Sequence, residues 1–538
     1  MKRPRLIYND DGCSLMRIAP PHSLEAMYRS FDYLDHSQVD CISWNTAVGD
    51  VAYTYRSNVV DNLYDLYDLS TGTDAAMSPV NNLMFTLYKQ GIDYLPFLID
   101  DMHRRGIAFF ASFRMNDAHL KSKPEGALAS KFWKEHQEMR LWSVNLCRSY
   151  YNAAMDYSFP VIRERRLAMM QEVAERYDVD GIEVDFCRNP FVFQIGEAWQ
   201  KRDVLTDFLC QIRDSLNRIA EKKKKALKII MRVPFSEKRR YEAGMDLGAW
   251  LKQHLFDILV MSSHYNNYNI EFERILHACR ENGLWFYPSI ELNPMMNFYP
   301  FVELPEHVTA PRHYENVPEN LEERLMHLRA IAQNYLAQQP DGVYMFNYPC
   351  SIFEAYPVEI FPNPMVDGEL GQRAALLRQI ASLETLERAD KEYLYWHELP
   401  IYIEPMRPAK YYQTVDFYLN DAGIHAPQAA ITLSFHQVGE SNPHAYAKPS
   451  SPFIGKGYMT YVLNGRVLDE ELIMKEKVAP GKICSGFTLG EHDRVIIPLD
   501  PAWLRQGMNR LEFEIRHRPR DCDYYVYIYQ LSLQIRHH

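Results

Sequence analysis

The 538-residue chain contains no apolar run long enough to cross a bilayer, and no apolar segment of signal-peptide type follows its opening MKRPRLIYNDDG. The expectation is therefore a cytoplasmic protein with no membrane partner. Cysteine patterning is also missing. Nine Cys, an odd number, are scattered without CxxC pairs or zinc spacing, which argues against a disulfide framework or a zinc module. Several, such as Cys41 and Cys210, lie in apolar runs, the pattern of reduced, buried thiols. No glycine-rich G-x-G-x-x-G turn follows the first strand candidate, and neither a P-loop nor a G-x-S-x-G elbow occurs. No His/Cys/Asp group has metal-ligand spacing, so neither metal nor cofactor is expected. Positive charge is in short supply too. A formal net charge of −11 makes a nucleic-acid backbone an unsuitable partner. The one basic run, Lys222 to Lys225, follows a helical stretch, where cations complement the helix dipole.

What is present is a long alternation of apolar runs and amphipathic stretches. A chain of this length needs two domains. Eight strand candidates stand in the first part: 5–11, 40–45, 107–117, 180–186, 227–234, 256–263, 285–292 and 341–348. Helical periodicity fills 22–36, 95–105, 161–177, 203–222, 270–282 and 319–338. This pattern predicts a (β/α)8 TIM barrel over residues 1–385; the alternative, an open doubly wound sheet, lacks its glycine-rich turn. From about residue 390 helical signals stop. Short alternating runs broken by Gly, Pro and Asn predict a C-terminal antiparallel β-sandwich, jelly-roll-like, over 386–538. The stretches IPLDPAWLRQGMNRLEFEI and YVLNGRVL resemble the galactose-binding-like jelly rolls appended to many carbohydrate enzymes. That likeness implies either a sugar-binding or a merely accessory domain.

Active sites of such barrels lie at the C-terminal ends of the strands. Polar residues end apolar strands all round the ring: Asp10, Trp44, Asn45, Arg114, Asn116, Asp117, His119, Glu183, Asp185, Arg188, Arg232, His264, Tyr265, Glu291, Asn347 and Tyr348. In YDVDGIEVDFCRNP, strand alternation puts Glu183 and Asp185 on one face, while Ile182, Val184 and Phe186 face the helices. Two confined carboxylates repel, so one is expected to hold a proton suited to acid catalysis; the competing reading is a structural ion pair with Arg114 or Arg232. Glu291 ends the seventh strand candidate, either as a partner carboxylate or as a ligand-positioning group. Arg114, Asn116, Asp117 and His119 form a second polar cluster, for substrate hydroxyls or for capping a helix. Trp44, Tyr265 and Tyr348 are candidate stacking platforms or lids of the core, and the 13% aromatic content suits both uses.

NDDG at the first strand, FRMND at the third and DGIEVDFCRNP at the fourth resemble the hypothetical glycoside hydrolases related to family 10. The resemblance spans roughly residues 5–350. A partial likeness to family 18 chitinases places Glu183 and Asp185 at that family's two aspartate positions, with Cys187 where its catalytic Glu stands, so substrate-assisted chitinase chemistry is not implied. The resemblance implies a carbohydrate substrate, Asp185 or Glu183 as acid/base and Glu291 as nucleophile or base. Two rivals stay open: a non-catalytic carbohydrate-binding barrel, and a barrel lyase or isomerase. A barrel of this size is compatible with a monomer or with a homo-oligomer paired through the sandwich.

Overall fold

The computed structural model describes residues 1–16, 18, 20–67, 82–117, 128–142, 154–187, 189–263, 267–291, 321–348, 374–395, 399–403, 412–441, 459–483, 488–515 and 524–537. Its contacts divide the chain into two units. One comprises Met1–His264, Phe272–Leu292 and Gln339–Ala381; the other comprises Tyr265–Glu271, Asn293–Gln338 and Ser382–His538.

The first unit is a closed barrel of eight parallel strands. They are β1 (Leu6–Asp10), β2 (Val39–Val48), β3 (Ala108–Arg114), β4 (Gly181–Asp185), β5 (Lys228–Pro234), β6 (Ile258–Ser262), β7 (Trp285–Ile290) and β8 (Val343–Met345). Each pairs with its neighbour in sequence, and β1 pairs with both β2 and β8, which closes the ring. All eight strand candidates are therefore strands, in the expected order. A two-residue strand, Val51–Ala52, adds a hairpin to the end of β2.

The ring is stapled at its base by aspartates. Asp40 in β2 accepts the backbone N–H of Arg5, and Asp180 ahead of β4 accepts that of Phe109 in β3, each at 2.8 Å. Asp257 ahead of β6 and Asp341 ahead of β8 do the same for Ile229 in β5 and Phe286 in β7, again at 2.8 Å. A charged acceptor strengthens each bond beyond an ordinary amide pair. Burial alone would raise the carboxyls of Asp40, Asp180 and Asp257. The N–H groups and the facing cations Arg5, Lys225 and Arg213 outweigh it and hold all three below the usual range. Gly181 follows the second of these aspartates because nothing larger fits. A Cβ there would stand 2.0 Å from the Lys228 carbonyl and 2.5 Å from the Phe110 ring.

Inside the ring, Ile7, Cys41, Phe110, Ile230, Ile258 and Tyr287 form an apolar plug. Helices Leu95–Arg104, Pro160–Arg176, Arg202–Lys223 and Glu273–Glu281 occupy connections between strands. Arg202–Lys223 shows how the sequence builds one. Leu205, Phe208, Leu209, Ile212, Leu216 and Ile219 recur at three- and four-residue intervals and are buried. Lys222 and Lys223 fill its last turn, and Lys224 closes it in the left-handed region at φ 53°.

The second unit holds two main antiparallel sheets, beside a two-stranded one that pairs Gly481–Lys482 with Thr488–Leu489. The strands of the main sheets are β9 (Lys391–Tyr395), β10 (Ile401–Ile403), β11 (Tyr412–Leu419), β12 (Ala429–Ser441), β13 (Met459–Leu463), β14 (Arg466–Val467), β15 (Met474–Val478), β16 (His492–Leu499), β17 (Gly507–Ile515) and β18 (Tyr524–His537). The larger sheet runs β9-β18-β12-β16-β15 with β10 on β18, and the smaller runs β11-β17-β13-β14. Phe435 on β12 meets Phe513 on β17 and Tyr461 on β13 at ring separations of 5.2 and 5.3 Å, so the two sheets pack face to face as a β-sandwich. Helix α1 (Leu321–Leu336) belongs to this unit.

Cys41, Cys187, Cys210 and Cys279 are free thiols, whereas Cys13 is disulfide-bonded, so the expectation of uniformly reduced cysteines fails at that position. No helix among the described residues is long and apolar enough to cross a membrane.

Candidate active site at the barrel mouth

Two polar layers face inward above the apolar plug, and the one nearer the C-terminal end carries more charge. Ser43, Glu183 and Tyr344 make the lower polar layer. The Tyr344 hydroxyl donates to Glu183 at 2.9 Å, and Ser43 donates to the other carboxylate oxygen. Glu183 is 0% exposed. Burial, and then the charge of Asp185 two residues on, push its carboxyl up to about 8 against the pull of Arg232 and Tyr344. Burial thus favours the protonated form of Glu183.

One layer nearer solvent, the fully buried Arg232 of β5 joins two carboxylates. Its Nη1 reaches both oxygens of Asp185 at 3.2 and 3.0 Å, and its Nη2 reaches both oxygens of Glu291 at 3.3 Å. Glu291 also accepts from Ser262 at 2.5 Å and Ser289 at 2.7 Å. Desolvation raises the Asp185 carboxyl, although Arg232 and Arg114 oppose the shift. The Arg232 guanidinium lies over the Phe346 ring at 4.0 Å, which fixes its plane.

A second cation stands beside this pair. Arg114 of β3 bonds Asp11 and, at 3.2 Å, Asp117, and it feels the charge of Asp185. Burial opposes its charge, but the three carboxylates keep it cationic. Asn45 extends toward Asp11 at 3.5 Å, and Asn347, at φ 47°, accepts the Asp11 N–H at 3.3 Å. Asp117 also borders a small cleft lined by Asp50, Trp133, Tyr157 and Arg165.

The structure thus gathers Asp185, Glu291, Arg232, Arg114, Asp117, Asn45 and Asn347 at one end of the barrel. Other candidates point elsewhere. Trp44 is 0% exposed and packs edge-on to Phe31 on the helical side, and Tyr348 packs against Tyr8 at 6.5 Å. Asp10 is buried, accepting the Gly12 N–H at 2.8 Å; desolvation lifts its carboxyl to about 7. Asn116 spends its side chain on backbone, donating to the Met155 and Phe191 carbonyls at 2.8 Å and accepting from Met155 N–H at 2.9 Å. His119, Arg188, His264 and Tyr265 lie outside the described residues. Reading strand ends alone missed Ser43, Ser262 and Tyr344. The signal for them was alternation: each lies an even number of residues before a strand-end position, and so faces the same interior.

No protein-family model matches the sequence, and no curated protein matches it. Solved structures do show similarity. Alpha-L-fucosidase isoenzyme 2 from Paenibacillus thiaminolyticus is 13% identical over 71% of this chain, with a TM-score of 0.41; the match spans 49% of the fucosidase, about half its length. The glycoside hydrolase domain of PgaB (BpsB) from Bordetella bronchiseptica is 12% identical over 71% of this chain and 99% of that one, with a TM-score of 0.40. A noncanonic maltogenic alpha-amylase, AmyB, from Thermotoga neapolitana is 12% identical over 95% of this chain and 99% of that one, with a TM-score of 0.37. These solved neighbours are glycoside hydrolases.

Proposed function

We propose that the protein is a glycoside hydrolase acting on an oligosaccharide or modified glycoside, with Asp185 as the proton-transferring carboxyl and Glu291 as nucleophile or base. The observation that carries this reading is the convergence of Asp185 from β4 and Glu291 after β7 on one guanidinium at the C-terminal end of the barrel. Hydrolysis of a glycosidic bond needs one carboxyl able to give a proton and one that stays ionised, with a cationic sugar developing between them. Desolvation of Asp185 favours its protonated form. Arg232, Ser262 and Ser289 all donate to Glu291, which fixes the orientation of its carboxylate.

Charge balance supports the same reading. Among the described residues, Arg114 pairs with Asp11 and Asp117 while Arg232 pairs with Asp185 and Glu291, so carboxyl groups outnumber the cations they bond. Negative charge there would stabilise an oxocarbenium-like transition state. Asn45, Asn347, Asp117 and Arg114 are placed to bind sugar hydroxyls. In this reading Glu183 is a positioning residue, shut beneath Asp185, whose proton relieves repulsion between the two. The finer likeness to family-10-related hydrolases, and sugar binding by the sandwich, belong to the same proposal.

The test is turnover of a panel of aryl glycosides and oligosaccharides by the full chain and by Asp185→Asn and Glu291→Gln. Loss of hydrolysis in both, with unchanged unfolding midpoints, supports the assignment. Undiminished hydrolysis in both sinks it.

A further inference from the structure

Outside the barrel mouth, one buried cluster in the second unit has the donors of a metal site. Glu323 and His327 stand four residues apart on α1, on one face of a sixteen-residue helix. Glu392 comes from β9. One ligand atom from each lies within 4.8 Å of the others. The His327 ring is completely buried, yet neither of its nitrogens has a hydrogen-bond partner. A buried imidazole with both nitrogens unsatisfied is costly, and its environment ordinarily supplies a partner.

The spacing within the cluster indicates what that partner is. His327 Nε2 lies 3.4 Å from Glu392 Oε2, longer than a good N–H···O bond. Two ligands on a tetrahedral ion with bonds of about 2.0–2.1 Å stand about 3.4 Å apart. Glu392 presents Oε2 toward His327. Ser532 donates to its other oxygen, which orients the carboxylate toward His327. Glu323 is only partly buried, so its side chain has room to complete the set.

We propose that Glu323, His327 and Glu392 bind one divalent transition-metal ion of the zinc type, fastening α1 to β9. One imidazole and two carboxylates suit such an ion better than Mg²⁺ or Ca²⁺, which prefer all-oxygen shells. The burial of His327 and Glu392 marks the site as structural. This inference does not depend on the hydrolase reading.

The experiment uses the full chain, stripped with chelator and titrated with ZnCl₂, with MgCl₂ as control. Calorimetry and elemental mass spectrometry measure uptake, and thermal unfolding measures stabilisation. One Zn²⁺ per chain is expected, together with a higher unfolding temperature. Removing even an outer partner of a metal ligand weakens binding about 10–100-fold, so His327→Asn should cost at least that. Glu323→Gln, an isosteric change at a partly exposed position, should also weaken Zn²⁺ binding by at least about tenfold. Absence of uptake, uptake unchanged in both variants, or Mg²⁺ binding as tightly as Zn²⁺ would overturn the proposal.

Discussion

Both units bury charge, but they handle it differently. In the second unit, Lys391 and Asp421 form a closed pair 3.0 Å apart, each completely buried. Tyr393 donates to Asp421 at 2.7 Å, Gly423 N–H does so at 2.8 Å, and Lys391 also donates to the Leu386 carbonyl at 2.5 Å. One cation meets one anion, with neighbours completing the remaining bonds. At the barrel mouth one guanidinium is instead divided between two carboxylates at 3.0–3.3 Å, and its Nε has no partner. A saturated pair serves folding, whereas a cation shared between competing anions leaves bonding capacity and negative charge for something else. Buried pairs generally add little net stability, so the loosely shared arrangement has no advantage as a fastener.

The largest expected effect is on chemistry. Asp185→Asn and Glu291→Gln should each lower kcat/KM on a cleaved glycoside by about 10²–10⁴-fold, the usual worth of a general acid or base, as measured by initial rates. A fall of less than fivefold in both would erase the contrast between the two regions. Next comes the closed pair. Lys391→Met leaves Asp421 buried without its cation and should cost about 3–5 kcal/mol in urea unfolding. Adding Asp421→Leu to Lys391→Met should recover much of that loss, and a double variant no better than the single would show that the pair is not the relevant unit.

A smaller effect is tied to pH. The Glu183 carboxyl is raised from 4.5 to about 8 in the folded chain, so the native state holds a proton there that the unfolded chain releases. Stability from this group is complete below about pH 4.5 and declines as pH rises toward 8. Glu183→Gln should therefore gain stability relative to the parent between pH 5 and 8, by an amount that shrinks on the acid side. An identical pH profile for both proteins would contradict a protonated Glu183. The smallest effect is expected of Tyr344→Phe, which removes one donor to Glu183. It should cost about 1 kcal/mol and move the Glu183 titration further upward, readable by carboxyl infrared bands.

Much of the barrel was legible because strand and helix periods differ. Alternation alone put Glu183 and Asp185 inward, as the structure does. What alternation could not give is depth. Glu183 and Asp185 share a face but sit in different layers, one beneath a tyrosine and the other against an arginine. Depth depends on the stagger of neighbouring strands, for example Ser112 beside Glu183 and Arg114 beside Asp185, and no single segment encodes it. Trp44 and Tyr348 failed to point into the mouth for a related reason. Trp44 falls on the helix-facing phase of β2, and proximity to the strand end does not change the phase; Tyr348 shares the phase of inward-facing Tyr344 but lies past the end of β8 at Met345, where alternation no longer applies. The Glu323/His327 pair carries no signature alone, because its third partner is supplied by a strand 65 positions beyond the histidine.

The aspartates at the barrel base carry a consequence for how the ring is assembled. Each even-numbered strand brings a carboxylate that clips the strand before it: β2 to β1, β4 to β3, β6 to β5 and β8 to β7. The barrel is thus four clasped couples as much as eight staves. Folding holds the carboxyls of Asp40, Asp180 and Asp257 below their unfolded value of 3.8, so their contribution is complete above that value and fades as acidity passes the lowered folded values. Glu183, inside the same ring, tends the opposite way. Acid loosens the clasps at the foot and alkali strains the carboxyl under the mouth, which leaves the ring most secure in the interval between.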